Sequence, residues 1–241
     1  MSIASPFRGF AGVRVVADVH GDAAAFAAAA AGAAAADLFL LQLGDLTDHG
    51  PDNAGVLRQM FALMDAGRGL FLLGNHDHKL RRALIGERVN IPPEGLGRTL
   101  AELDAAPDGP ALIARAVAEV ARAPAWVCDG GRLFVHGGFH PRMLHEEPPP
   151  DAGARKPAGL LTRALFGQVT GRMRTDGFPE RLHDWVDRIP EGMLVVVGHD
   201  RRSTDGRPFV ADGRLGGRCI FLDCGAGKGG HLAWIDLPAF G

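Results

Sequence analysis

The chain has 241 residues, 46% of them hydrophobic and 22% charged, with a formal net charge of −2. That length fits one large domain or two small ones with a sizeable core, and the near-neutral balance offers no electrostatic case for general nucleic-acid binding. No apolar run reaches the roughly 18–20 residues that span a bilayer, and the opening MSIASPFRGFAG lacks a basic-then-apolar leader pattern, so a cytoplasmic protein with no membrane contact is expected.

Three cysteines, Cys128, Cys219 and Cys224, are an odd number without a CxxC spacing. They predict reduced thiols rather than a disulfide framework or a thiolate metal site. The cations are nearly all arginine, with lysine only at Lys79, Lys156 and Lys228.

In chain order, VRVVADV (13–19) is a β-branched apolar run suited to a buried strand. The Ala-rich stretch from Asp22 to about Ala36 predicts a helix with Asp22 as its N-cap. DLFLLQLG (37–44) predicts a second strand. Residues 51–64 predict a second helix, with Pro51 in its first turn and Asp52 favourable to its dipole. GLFLLG (69–74) predicts a third strand, and this βαβαβ rhythm argues for a parallel sheet that binds ligands at its carboxyl ends. Residues 79–123 are mainly helical in pattern, broken at IPPEG (91–95) and APDGP (106–110), and predict a cap or flank. WVCDGGRLFVHGG (126–138) predicts a hairpin turning at Asp129-Gly130-Gly131. EEPPPDAGARKP (146–157) predicts an exposed loop, and helical segments are expected from there to the strand in MLVVVGHD (193–200). CIFLDCGAGKGGHLAWIDL (219–237) predicts two strands around a glycine-rich turn. The second half is thus expected to be mostly antiparallel strand, in one domain over residues 1–241 with two packed sheets.

The chemistry-bearing segments are DVHGD (18–22), GDLTDHG (44–50), GNHDHK (74–79), VHGG (135–138) and VVGHD (196–200). Asp18 and His20, two residues apart, point the same way from an extended strand end and can grip one ion. Asp45 can bridge that ion to a second through its two oxygens. Asn75, His136 and His199 offer an amide oxygen and two imidazoles to the second ion. A mixed N/O set without thiolates suits Mn, Fe, Zn, Co or Ni, manganese first among them, rather than Ca. Such pairs lie ~3.5–4 Å apart in hydrolytic sites and activate a hydroxide for attack on phosphorus. His76 follows Asn75 into the same cleft as candidate general acid, with Asp48 as the carboxylate that orients its ring. His78, His140, His145, His183 and His231 add no missing ligand.

These segments resemble the calcineurin-like metallophosphoesterases and, within them, the phosphoprotein-phosphatase superfamily, whose blocks are GDxHG, GDxxDRG, GNHE or GNHD, HGG and a late GH. The resemblance spans residue 13 to about 237 and is weakest over 79–123. It implies an α/β (α+β) fold, a four-layer αββα β-sandwich flanked by helices, with a helical cap or insertion at about 79–123. By motif, Asp18, His20 and Asp45 would bind the first metal, Asp45, Asn75, His136 and His199 the second, with His76 as proton donor and Asp48 as its partner. The segments LFGQVTGRMRTDGFPERLHDW and IFLDCGAGKGGHLAWIDL resemble the branch holding bacterial asymmetrical diadenosine-tetraphosphatases and the phosphatase module of RNA-repair polynucleotide kinase-phosphatases. There Asp223 falls at an IDTG aspartate and is expected in a supporting role.

Two positions depart from the blocks. Ala17 stands for Gly, and His49 stands for the Arg that forks onto substrate phosphate, which imidazole cannot reproduce. Arg142, Arg172, Arg174, Arg201 and Arg202 flank the motifs, and Arg172, Arg174 and Arg201 with His49 are the substrate-binding candidates. A phosphodiester substrate, or His49 simply capping the site, remain open alternatives. The substrate classes are a phosphoprotein, a dinucleoside polyphosphate, and a nucleotide or RNA end. A metal-bearing regulatory protein with weakened catalysis is the alternative of another kind.

Overall fold

Along β1 (Gly12–Val16) the side chains alternate between two hydrophobic clusters: Val13 and Val15 enter one, Val16 the other. The computed structural model of the chain describes residues 7–175, 177 and 179–239. The same alternation runs through β2 (Leu38–Gln42), where Phe39 and Leu41 share the cluster of Val13 and Val15, while Leu38 and Leu40 join Val16. Phe134 and Val196, from another sheet, also sit with Val13 and Val15. That cluster is therefore the seam between two stacked sheets, and the period of two dictates it. Each fully buried Leu41, Phe134 or Val196 side chain contributes roughly 1.5–3 kcal/mol.

The first sheet has the order β11-β1-β2-β3, with β3 spanning Gly69–Phe71 and β11 spanning Trp234–Pro238. β1, β2 and β3 are parallel and β11 is antiparallel to β1. The connecting helices are α1 (Ala23–Ala35) and α2 (Asn53–Asp65). Asp22 caps α1 by accepting from Ala25 N. Pro51 stands outside α2 rather than in its first turn: Asp52 is the N-cap and accepts from Gly55 N, which satisfies an orphan helix donor. α3 (Asn75–Leu84), α4 (Arg98–Ala105) and α5 (Gly109–Arg122) follow, and α4 and α5 pack on each other and on α2, with α5 also against α3.

β4 (Trp126–Asp129) and β5 (Arg132–Val135) form the expected hairpin, turning at Gly130 and Gly131 with φ of 49° and 81°. After α6 (Leu160–Phe166) the chain departs from the expected helices and forms a separate hairpin, β6 (Gln168–Met173) with β7 (Pro179–Leu182). The Val-Thr-Gly-Arg stretch lacks an apolar helical stripe, and Gly171 adopts φ 84° inside β6. β8 (Leu194–Val197), β9 (Phe209–Asp212) and β10 (Arg218–Phe221) complete the second sheet in the order β4-β5-β8-β10-β9. β5, β8 and β10 run parallel at the centre of this sheet, while β4, β9 and β11 and the β6–β7 hairpin pair antiparallel, so the second half is mostly antiparallel as expected. The two strands expected around the glycine-rich turn are β10 and β11, and that segment crosses from the second sheet to the first. The result is one mixed α/β domain, two sheets flanked by helices. No helix among the described residues is long and apolar enough to cross a membrane.

Candidate metal centre

The loops leaving β1 and β2 are tied together before any side chain is considered. Val19 N and His20 N donate to Asp45 O at 3.1 and 3.0 Å, Gly21 N donates to Leu46 O at 3.0 Å, and Gly50 N donates to His20 O at 2.6 Å. The bends require left-handed backbone: His20, Asp45, Asp48, His49 and His199 have φ between 48° and 77°, and Asp37 is the one further non-glycine case among the described residues. Such conformations cost of order 1–3 kcal/mol each and persist where the surroundings over-determine them. Gly44, at φ 99°, lets this loop meet the third one, since a Cβ there would lie 2.6 Å from Gly74 N and 3.0 Å from His136 Nδ1.

These bends bring all six expected ligands together. Asp18, His20, Asp45 and His136 are buried. Asp45 Oδ2 is central, 3.8 Å from His20 Nε2, 3.4 Å from His136 Nε2 and 4.0 Å from His76 Nε2. Asp18 Oδ2 is 3.9 Å from His20 Nε2. Asn75, the first residue of α3, places Oδ1 3.1 Å from His136 Nε2. The His199 ring lies 4.8 Å from that of His136, and His199 N donates to both Asp18 oxygens at 3.0 and 3.1 Å. Asp45 Oδ1 accepts from His76 N at 2.8 Å, and Oδ2 faces His20 and His136.

The donor chemistry fits metal ions. His20 Nδ1 and His136 Nδ1 sit 2.9 Å from the carbonyls of Thr47 and Leu43. A carbonyl can only accept, so each Nδ1 carries the proton and each Nε2 turns towards Asp45 as a ligand atom. His199 Nε2 is buried with no hydrogen-bond partner among the described residues, an orphan that a cation would satisfy. Asp18, His20 and Asp45 form one group, and Asp45, His136 and His199 another, with one ligand atom from each residue within 4.8 Å of the others.

A family model for calcineurin-like phosphoesterases matches residues 13–203, a span that holds all six of these side chains. The chain belongs to the calcineurin-like phosphoesterase family. It is 31% identical over 199 residues to a bis(5'-nucleosyl)-tetraphosphatase PrpE [asymmetrical] of Geobacillus thermodenitrificans, covering 81% of this chain and 74% of that one. A relative of the same name from Bacillus cereus is 27% identical over 201 residues, with the same shares. A crystal structure of a provisionally named diadenosine tetraphosphatase shares the fold at a TM-score of 0.57 and 20% identity, covering 97% of this chain and 96% of that one. A protein serine/threonine phosphatase from Saccharomyces cerevisiae shares it at 0.56 and 14%, covering 97% and 82%. Metallophosphoesterases of this family are hydrolases that use divalent metals, and this chain has an Asp/His cluster with the donor set to hold a metal ion.

In this phosphoesterase the protonation pattern follows from crowding. Burial pushes Asp45 up, but His136, His76 and His20 overcome it and hold its carboxyl well below the usual range. Burial alone pushes His136 down, while Asp45 and Asp18 carry it up to about 9. His20 and His199 are held well below the usual histidine range by burial, with Lys228 adding to the first and His136 to the second. Asp18 is pushed well above the carboxylate range by burial and by Asp223. His49 is pushed down to about 4 by burial, Lys228 and His76, so its ring is neutral at pH 7.

His76 Nδ1 lies 2.6 Å from Asp48 Oδ2, and the other Asp48 oxygen accepts from Thr99 Oγ1 at 2.8 Å. The rings of His20, His49 and His76 stand edge to face, 4.9–5.5 Å apart. Arg172 and Arg174 are exposed at the end of the β6–β7 hairpin. Arg201 packs on Gly225, where a Cβ would lie 2.8 Å from its Cδ. Asp223 is buried and accepts from Gly225 N at 2.8 Å.

Four functional-looking contacts escape the sequence patterns. Asp77 takes the amides of Asp45, Leu46 and Gly74 at 2.7, 3.0 and 3.0 Å, tying the Asp45 loop to the start of α3. Burial and Asp45 push it up to about 6 against those three bonds. Gln42 clamps Gly44 on both sides, at 2.6 and 2.8 Å, and its polarity in an apolar strand was a usable signal. Arg181, its Nη1 on Phe166 O at 2.7 Å, interacts electrostatically with Asp200, Asp18, Asp223 and Asp45. Lys228 reaches His20 Nε2 at 2.8 Å.

Proposed function

We propose that this phosphoesterase is a two-metal enzyme that hydrolyses nucleotide-class phosphate bonds, with dinucleoside polyphosphates as its substrates. The observation that carries the two-metal reading is the convergence of His20 Nε2, His136 Nε2 and the Asp18 and Asn75 oxygens around Asp45 Oδ2. Asp18, His20 and Asp45 would hold one ion, and Asp45, Asn75, His136 and His199 the other. Manganese suits this N/O set, as do Fe, Zn, Co and Ni. When bound, such a pair supplies Lewis acidity to the phosphoryl group and a hydroxide near neutral pH.

The chain's own residues supply the rest. His76, held through Nδ1 by Asp48, presents Nε2 to the cluster and donates its proton to the leaving oxygen, which would otherwise depart as a poor alkoxide. Thr99 and Asp48 fix the ring, so the proton is delivered from one position. His49, Arg172, Arg174 and Arg201 are assigned to substrate contacts, and Asp223 supports the loop beside the site. The polyphosphate reading is supported by the relatives named bis(5'-nucleosyl)-tetraphosphatase. A cytoplasmic setting belongs to the same reading and suits three free thiols.

The test is a panel on manganese-loaded protein: diadenosine tetraphosphate, a phosphopeptide, a 2′,3′-cyclic nucleotide and p-nitrophenyl phosphate. Asymmetrical cleavage to nucleoside triphosphate and monophosphate, at the highest rate of the panel, is expected. Faster turnover of the phosphopeptide would overturn the substrate assignment. Manganese held with no turnover of any member would replace the enzyme reading with that of a metal-bearing regulatory protein.

A further inference from the structure

The segment LDCGAGKGG (222–230) crosses from β10 to β11 and lies against His20, one of the metal-ligand candidates. It is a pinned loop. Asp223 Oδ1 accepts from Gly225 N at 2.8 Å, Lys228 N and Gly230 N both donate to Gly225 O at 3.0 and 2.9 Å, and His231 N donates to Cys224 O at 3.1 Å. Gly227, at φ 67°, lies so close that a Cβ would sit 2.5 Å from His20 O. The loop therefore rests on the backbone of His20 and sends the next side chain, Lys228, towards the cluster. Its ammonium ends 2.8 Å from His20 Nε2.

That nitrogen is the lone-pair atom of His20, because Nδ1 is committed to Thr47 O. An ammonium and a divalent ion cannot share one lone pair, so metal loading displaces Lys228 from His20. The loop backbone is fixed, but the residue is exposed and its four-carbon stem is free to swing. The direction it can take is limited. Asp18, His20, Asp45 and His136 are closed off from solvent, whereas His49, Asn75, His76 and His199 are partly exposed and Lys228 is exposed. An anion enters over these exposed groups, and Lys228 is the cation in contact with His20 there.

We infer that Lys228 is a substrate-binding residue of this site: its ammonium, displaced from His20 by metal, donates to a non-bridging oxygen of the bound phosphoryl group. It supplies by a point charge from the C-terminal loop what His49 cannot supply as a fork. The inference rests on the phosphoesterase reading above, and its test separates the two.

Lys228→Met keeps the stem and removes the charge. In manganese-loaded protein, KM for p-nitrophenyl phosphate and the dissociation constant of inorganic phosphate, read by calorimetry, are expected to rise about 10- to 100-fold. Manganese content stays at the wild-type level, and Lys228→Arg recovers most of the phosphate affinity. Unchanged phosphate affinity with manganese retained would overturn the inference and leave Lys228 as a placeholder cation whose loss only tightens manganese binding. A rise explained by lost manganese would overturn it as well. Absence of aryl phosphate turnover by wild-type protein would count against hydrolysis, and the phosphate titration would still decide Lys228.

Discussion

Asp48→Asn removes one charge and one acceptor from the contact that holds His76 while leaving shape and volume nearly unchanged. In the wild-type chain Asp48 Oδ2 takes His76 Nδ1 at 2.6 Å and Oδ1 takes Thr99 Oγ1 at 2.8 Å, with the Asp48 side chain 1% exposed and that of His76 20%. A charge-assisted hydrogen bond so shielded is worth about 1.5–3 kcal/mol, and at 1.36 kcal/mol per decade its loss slows turnover about 10- to 150-fold. The loss falls on proton donation, so it depends on the leaving group. The assay is kcat over a series of aryl and alkyl phosphates, with metal content measured on the same samples. Turnover should drop most for alkyl phosphates, whose leaving oxygens need a proton, and least for p-nitrophenyl phosphate. Manganese content should not change, because Asp48 faces His76 and Thr99 rather than the ligand atoms. Equal losses across the series, or a loss of manganese, would refute the assignment of His76 as the acid held by Asp48.

Gly198→Ala brings a Cβ to 2.2 Å from Asp18 Oδ1, and the buried carboxylate has no free rotamer to yield because both its oxygens take His199 N. We expect an overpacking cost of about 1–3 kcal/mol together with loss of manganese from the Asp18 group; metal analysis showing full loading would contradict this. The metal-free chain should become less stable as pH rises from about 6.5, the unfolded histidine value, to about 9. His136 is raised to about 9 when folded, so its stabilisation is complete below the unfolded value and is lost as pH passes the folded one. Asp18, raised by burial and Asp223, acts with the same sign. Manganese must displace the His136 proton, so binding at pH 7 should release protons and tighten with pH. Titrations in two buffers of different ionisation enthalpy, with thermal melts of the metal-free chain, measure both; proton-neutral binding would be the contrary result.

The convergence of the six candidate ligands was legible because it depends on local order. Each ligand follows an apolar strand at short spacing, and strands of a parallel sheet deliver their carboxyl ends to one edge. The alternation in β1 and β2 and the Gly130-Gly131 turn were legible for the same local reason. The β6–β7 hairpin was not, since residues 169–173 are all exposed and carry no alternation of burial to read. Asp77, Thr99 and Arg181 escaped because each acts across a fold-level contact: Thr99 meets Asp48 from a residue 51 positions away. Lys228 was hidden more deeply. Its loop reads as a glycine-rich turn between two strands, and only the crossing of the chain from β10 to β11 lays it over His20.

The central claim is that two ions share Asp45. Anomalous diffraction from manganese-soaked crystals tests it most directly. Two peaks about 3.5–4 Å apart on either side of Asp45 Oδ2 are predicted, one against Asp18 and His20 and the other against Asn75, His136 and His199. A single peak, or peaks away from Asp45, would contradict it.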